Sequence, residues 1–146
     1  PRRQGREPPD AERVMTQQAT QEEVPTGFTL PEWNVHEALI RAGKKPYIDF
    51  QFQASMFGGR QQRGGLIIDF LFYNPPDLAI NVQGEFFHQG LGVEAIARDR
   101  IARAALAGRG VTLIFIDAED ANTDADGAVT NALRYLDSSF LGGLGG

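Results

Sequence analysis

Apolar and polar positions change rhythm along this chain, and each change marks an element. From Pro31 to Ala42 the apolar residues Val35, Ala38 and Leu39 recur at helical spacing, with a proline at the start and Gly43 after the end. Proline suits the first turn of a helix and glycine its stop, so the pattern predicts a helix. Tyr47 to Ala54 alternates instead, with Tyr47, Asp49, Gln51 and Gln53 set against Ile48, Phe50, Phe52 and Ala54. A period of two predicts a strand with one polar face. Met56 to Gly65, built of Gly, Gln and Arg, reads as the tip of a hairpin. Leu66 to Phe72 is an almost continuous apolar run and reads as a central strand. Leu78 to Gln83 is expected to pair with it across the Pro75-Pro76 turn.

The second half repeats the logic. Val93 to Leu106 places Val93, Ile96, Ala97, Ile101, Ala104 and Ala105 at helical spacing. Val111 to Ile116 reads as a buried strand. Ala125 to Leu136 reads as a last helix, capped by Asp124, with Val129, Leu133 and Leu136 facing inward. A strand after a helical run of this length predicts a right-handed crossover and a parallel pairing. The expected fold is therefore α/β, in the order α-β-β-β-α-β-α, with a mixed sheet flanked by helices on both faces.

Composition divides the 146 residues into three parts. Residues 1–27 are rich in Arg, Gln, Glu, Thr and Pro and contain no aromatic side chain. Such a segment buries too little apolar surface to offset its ordering entropy, so it reads as an extended arm that gains order on another protein chain. Residues 28–138 carry the folded domain, and residues 139–146 form a glycine-rich tail. The net charge of −5 gives little general attraction for nucleic acid, so any DNA contact needs a local basic patch. With no cysteine in the chain, disulfides and thiolate metal sites are excluded. No apolar run approaches the roughly 20 residues that span a bilayer, and no signal-peptide core opens the chain, so neither a membrane nor secretion is expected.

The candidate chemistry gathers on the two central strands. Asp69 is a lone acid in an apolar strand, and a buried acid costs several kcal/mol unless paired, hydrogen-bonded or metal-bound. Asn81 and Gln83 lie on the next strand, His88 follows it, and Glu32 is a possible fifth member. Hard oxygen ligands of this kind suit Mg²⁺. Asp69 can be a ligand, together with the carbonyl near Val82. Gln83 can orient water, and His88 can move a proton near neutral pH. The alternative for the same residues is structural: Asp69 accepts hydrogen bonds from a neighbouring segment and His88 caps the strand end. Arg60 and Arg63 in the hairpin tip, with Arg98, Arg100, Arg103 and Arg109, could hold phosphates. The alternative is a solvated helix face on which Asp99 and Arg103 pair at i, i+4. The acidic run Asp117, Glu119, Asp120, Asp124 and Asp126 lacks the spacing of a calcium loop and reads as a solvated loop. His36 reads as structural.

These residues together resemble the PD-(D/E)XK nuclease superfamily, and within it the very-short-patch-repair-like endonucleases and their small phage and bacterial relatives. The resemblance covers about residues 31–136. It rests on Ile68-Asp69-Phe70, on the run from Ile80 through Gly84 to His88, and on Arg98-Asp99, Leu106, the following glycines and the strand VTLIFI. It implies a restriction-endonuclease-like sheet, with Asp69 and the residue at 81 as metal ligands and Gln83 and His88 in catalytic roles. Arg60 or Arg63 would hold the DNA backbone. Two departures stand out: Asn81 occupies the place of a metal-binding acid, and Gln83 that of a lysine or other polar group. Two functions follow as expectations. One is a degenerate nuclease-fold domain serving as a structural or interaction module in a phage-type virion or other large assembly. The other is an active Mg²⁺-dependent DNA endonuclease.

Overall fold

The computed structural model describes residues 19–56, 66–84 and 93–138. A short 3-10 turn at Gln21–Glu23 precedes helix α1 (Leu30–Arg41). Thr29 starts α1 with a reciprocal cap. Its hydroxyl accepts from the Glu32 N–H at 3.3 Å, and the Glu32 carboxylate accepts from the Thr29 N–H at 2.9 Å. Two of the donors that a helix start leaves without partners are thereby satisfied. Thr29→Ala is expected to cost about 1 kcal/mol, read as a lower midpoint in urea at unchanged slope.

Strands β1 (Phe50–Met56), β2 (Leu66–Phe72) and β3 (Leu78–Gln83) follow, then helix α2 (Val93–Ala107) and strand β4 (Thr112–Asp117). Two helices, α3 (Ala118–Thr123) and α4 (Ala125–Leu133), close the described chain. The sheet order is β1-β2-β3-β4, antiparallel across the first two pairs and parallel between β3 and β4. The fold is thus α/β with a mixed sheet, as the hydrophobic pattern predicts, and α2 is the crossover that lets β4 run parallel to β3.

Both faces of the sheet are buried. Val35 and Leu39 of α1 meet Phe50, Phe70, Phe72, Ile80 and Ile116 on one face, where Ala125, Ala128, Val129 and Ala132 of α4 also pack. The alanines bring α4 in close. On the other face Ala102 and Leu106 of α2 cover Ile68, Ala79, Leu113 and Phe115. Inward residues therefore alternate between two cores along β3 and β4, which explains their near-continuous apolar character. Asn34, fully buried in α1, fits because its amide donates to Asn122 of α3 at 3.0 Å and its oxygen accepts from the Ala19 N–H at 2.8 Å.

Several boundaries differ from the pattern. The strand expected from Tyr47 begins at Phe50. Tyr47 has φ +68°, and the Asp49 carboxylate accepts from the Lys45 N–H at 2.8 Å and the Asn74 amide at 3.2 Å. Residues 45–49 are therefore a turn tied by Asp49, whose carboxyl the Lys45 N–H holds below its usual range. Tyr47 and Ile48 stand exposed. The last helix ends at Leu133 and not Leu136, and Tyr135 beyond it adopts φ +67°. The acidic run is not a loop: its first part is helix α3, and Asp124 caps α4 by accepting from the Gly127 N–H at 3.0 Å. At the near end of the arm Ala19 bonds to Asn34 and the Gly27 carbonyl accepts from the Gln53 amide at 3.3 Å. Residues 1–18 and 139–146 lie outside the described residues. Among the described residues no helix is long and apolar enough to cross a membrane.

Candidate functional site

Asp69 sits where the regular sheet gives way. The β2–β3 ladder runs through Leu71↔Ala79 and Phe70↔Ile80 and ends there. One step further, where Asp69 faces Asn81, side chains replace the backbone rungs. The Asn81 Oδ1 accepts from the Asp69 N–H at 2.8 Å, and the Asp69 Oδ2 accepts from the Val82 N–H at 2.8 Å. Each residue thus satisfies a backbone donor that the ladder has abandoned. This is the structural alternative for Asp69, with Asn81 as its counterpart.

The strand on the other side of β2 is irregular at the same level. Phe52 pairs with Phe70 and Ala54 with Ile68, but the intervening Gln53 has φ +58°. A left-handed conformation is costly for a non-glycine residue inside a strand. The packing of β2 breaks at the same level. Phe70 and Phe72 face the α1 core, whereas Ile68, an even number of residues away, packs in the α2 core. Strict alternation would put all three on one face. The break in alternation falls at Asp69, so the acid occupies the one position of β2 where the strand changes faces.

Electrostatics mark the same residue. Burial pushes the Asp69 carboxyl up to about 7, the Glu32 charge adds to the rise, and the bond from Val82 opposes it. Glu32 therefore belongs to the electrostatic surroundings of Asp69, while its own carboxylate is engaged at the Thr29 cap.

Gln83, at the end of β3, points to a partner the sequence did not suggest. Its Nε2 donates to the Asp99 Oδ2 of α2 at 2.7 Å. Burial raises the Asp99 carboxyl, and the Gln83 bond and the charges of Arg98 and Arg103 oppose that rise. The expected Asp99–Arg103 helix pair is replaced by this contact. Arg103 instead reaches Asp137 at 3.0 Å and lies over the Phe115 ring, 4.7 Å from its centroid. Arg103 is thus a packing residue, and Asp137 in turn accepts from the Phe115 N–H at 2.8 Å on the outer edge of β4. The only sign of Asp99 in the sequence was an acid on a helix beside an arginine, which fits many solvated helix faces.

His88, Arg60 and Arg63 lie outside the described residues. Arg98 and Arg100 are exposed on α2. His36 bonds Glu37 at 3.0 Å and stacks on Trp33 within an aromatic group that includes Phe28 and Phe50, in keeping with a structural role. In the acidic run, burial raises the Asp120 carboxyl while a Ser138 hydrogen bond opposes it. Among the described residues no group of three His, Cys, Asp or Glu side chains gathers as a metal site. No family model matches the chain, and no curated protein or solved structure matches it either.

Proposed function

We propose that this is a degenerate nuclease-type domain that acts as a structural or interaction module in a larger assembly, of the phage-virion kind, and not as a hydrolase. The pair of side-chain-to-backbone bonds, Asn81 on the Asp69 N–H and Asp69 on the Val82 N–H, carries this reading. The Asp69 and Asn81 side chains were expected to hold Mg²⁺, and each has an oxygen that accepts a backbone N–H. Asn81 supplies no charge to offset the cost of dehydrating a divalent ion. Burial, which pushes the carboxyl up to about 7, moreover favours its proton, and this weakens it further as a ligand. The polar, aromatic-free composition of residues 1–18 supports protein partners bound through the arm.

One observation favours the second reading, an active Mg²⁺-dependent DNA endonuclease. A strongly raised carboxyl beside another acid, at a break in a sheet, is the kind of perturbation that active sites build. A plasmid-nicking assay with Mg²⁺ and Mn²⁺ separates the two. The expected result is no metal-dependent nicking by the wild type above the level of Asp69→Ala. Nicking by the wild type that Asp69→Ala abolishes would establish the endonuclease.

A further inference from the structure

All three tyrosines of the chain lie in the turns at one end of the sheet. β1 begins at that end, β2 finishes there, and β3 and β4 begin there, since Phe50 pairs with Phe72, Leu71 with Ala79 and Leu78 with Thr112. Tyr47 is 82% exposed, Tyr73 50% and Tyr135 39%, and Ile48 beside Tyr47 is 67% exposed. Single exposed apolar residues need no explanation, but a group of them marks an interaction surface. The turns fix these rings in place. The Asp49 carbonyl accepts from the Tyr73 N–H at 2.7 Å and the Asn74 N–H at 3.0 Å, which ties the turn of Tyr47 to that of Tyr73. The Tyr135 hydroxyl donates to the Pro76 carbonyl at 3.1 Å. Tyr47, Asp77 and Tyr135, three of the four left-handed non-glycine positions among the described residues, all lie here. Such conformations cost stability and gather at functional sites.

Charge at this end runs against the rest of the molecule. Residues 44–49, 73–77, 108–111 and 134–136 carry Lys44, Lys45, Arg109 and Arg134 against Asp49 and Asp77, in a chain whose net charge is −5. The Asp49 carboxylate is engaged within its own turn. A basic surface on an acidic protein fits a polyanion, and the tyrosines narrow the choice. Tyr73 and Tyr135 engage their hydroxyls within the domain, on Gln51 at 2.7 Å and on Pro76, so a partner meets their rings. Nucleic-acid bases stack on such rings while Lys and Arg hold the phosphates. Four strands about 4.8 Å apart make this end roughly 15 Å wide. That is the length of about four stacked nucleotides at ~3.4 Å each.

We infer that this end of the sheet docks single-stranded nucleic acid, with Tyr47 and Tyr73 stacking on bases and Lys45 and Arg134 holding phosphates. The surface involves neither the Asp69–Asn81 pair nor hydrolysis, so it stands whether or not the domain cleaves DNA.

The test is fluorescence anisotropy of a labelled oligothymidylate of about 12 nucleotides, titrated with the full chain in EDTA at about 50 mM salt. The wild type should bind with micromolar affinity and weaken roughly tenfold or more at about 200 mM salt. Tyr47→Asn should weaken binding at least about fivefold, because stacking is lost while asparagine still adopts the left-handed backbone. Tyr47→Phe should bind within about twofold of the wild type. Lys45→Gln with Arg134→Gln should weaken binding roughly tenfold, whereas Arg98→Gln with Arg100→Gln, the same charge change on exposed α2, should stay within about twofold. An abasic strand of equal length keeps the phosphates and should bind at least about tenfold more weakly. The inference falls if the wild type leaves the strand unbound at about 100 μM protein. It falls also if the abasic strand or polyglutamate binds as well as oligothymidylate, which would mark a surface for acidic partners in general. Loss of binding in the α2 pair alone would move the site to α2 and overturn it too. Nicking is scored separately, so neither result there touches this surface.

Discussion

Asp69→Asn is expected to make the domain more stable at pH 8 and to change little near pH 4. Asparagine has the shape of the acid and keeps an oxygen to accept from the Val82 N–H. It removes the charge that burial penalises. Folding raises the Asp69 carboxyl from its ordinary 3.8 to about 7, so the folded state favours the proton. The unfolded chain therefore binds fewer protons between those values, and stability falls as pH rises through that window and stays level above it. Raising a carboxyl from 3.8 to about 7 corresponds to roughly 4 kcal/mol of preference for the neutral form, a ceiling that relaxation and water reduce. A gain of roughly 2–4 kcal/mol at pH 8, shrinking toward zero by pH 4, is the expected profile. Urea unfolding of both proteins across that range measures it. A constant difference at every pH would mean that the carboxyl is not desolvated in the folded state. For an enzyme this stored cost would serve catalysis. For a binding module it anchors the end of the β2–β3 ladder.

The parts of the molecule that depend on local rhythm were legible in the sequence. Val35, Ala38 and Leu39 at helical spacing gave α1, and the apolar run from Leu66 gave a central strand, because each pattern reports burial directly. The parallel β3–β4 pairing followed from the length of the intervening helix. What escaped depends on contacts between distant segments. Tyr47 and Asp49 alternate like strand residues, yet Asp49 ties a turn through Lys45 and Asn74. Nothing local marks Gln53 as left-handed, and nothing local marks Asp69 as the point where β2 changes faces. Of the site residues, Asp69 and Asn81 do meet, but as hydrogen-bond partners of backbone N–H groups. Gln83 turns to Asp99, 16 positions along the chain, a distance at which sequence spacing carries no signal.

Asn81→Asp is the sharpest probe of the proposed degenerate-nuclease reading. An aspartate side chain keeps an acceptor for the Asp69 N–H, so the bridge geometry survives. It places a second carboxylate directly opposite Asp69, in a setting that already raises one carboxyl to about 7. Like charges at that range disfavour joint ionisation, so the variant should lose roughly 2–4 kcal/mol at pH 8 without metal. The loss should narrow as the pH falls and one carboxyl takes a proton. Millimolar Mn²⁺ should recover part of it, because the pair now supplies the charge that asparagine withholds. Asn81→Leu is the control. It leaves the Asp69 N–H without an acceptor, a cost of about 1–3 kcal/mol that neither pH nor metal should change. Thermal melts of the three proteins at pH 5 and pH 8, with and without Mn²⁺, provide the comparison. If Asn81→Asp tracks Asn81→Leu under all four conditions, the two side chains do not share a common space, and the proposed degenerate-nuclease reading loses its support at this site. If Mn²⁺ rescues Asn81→Asp alone, a second carboxylate at position 81 is enough to make a cation site with Asp69, as the proposed degenerate-nuclease reading requires.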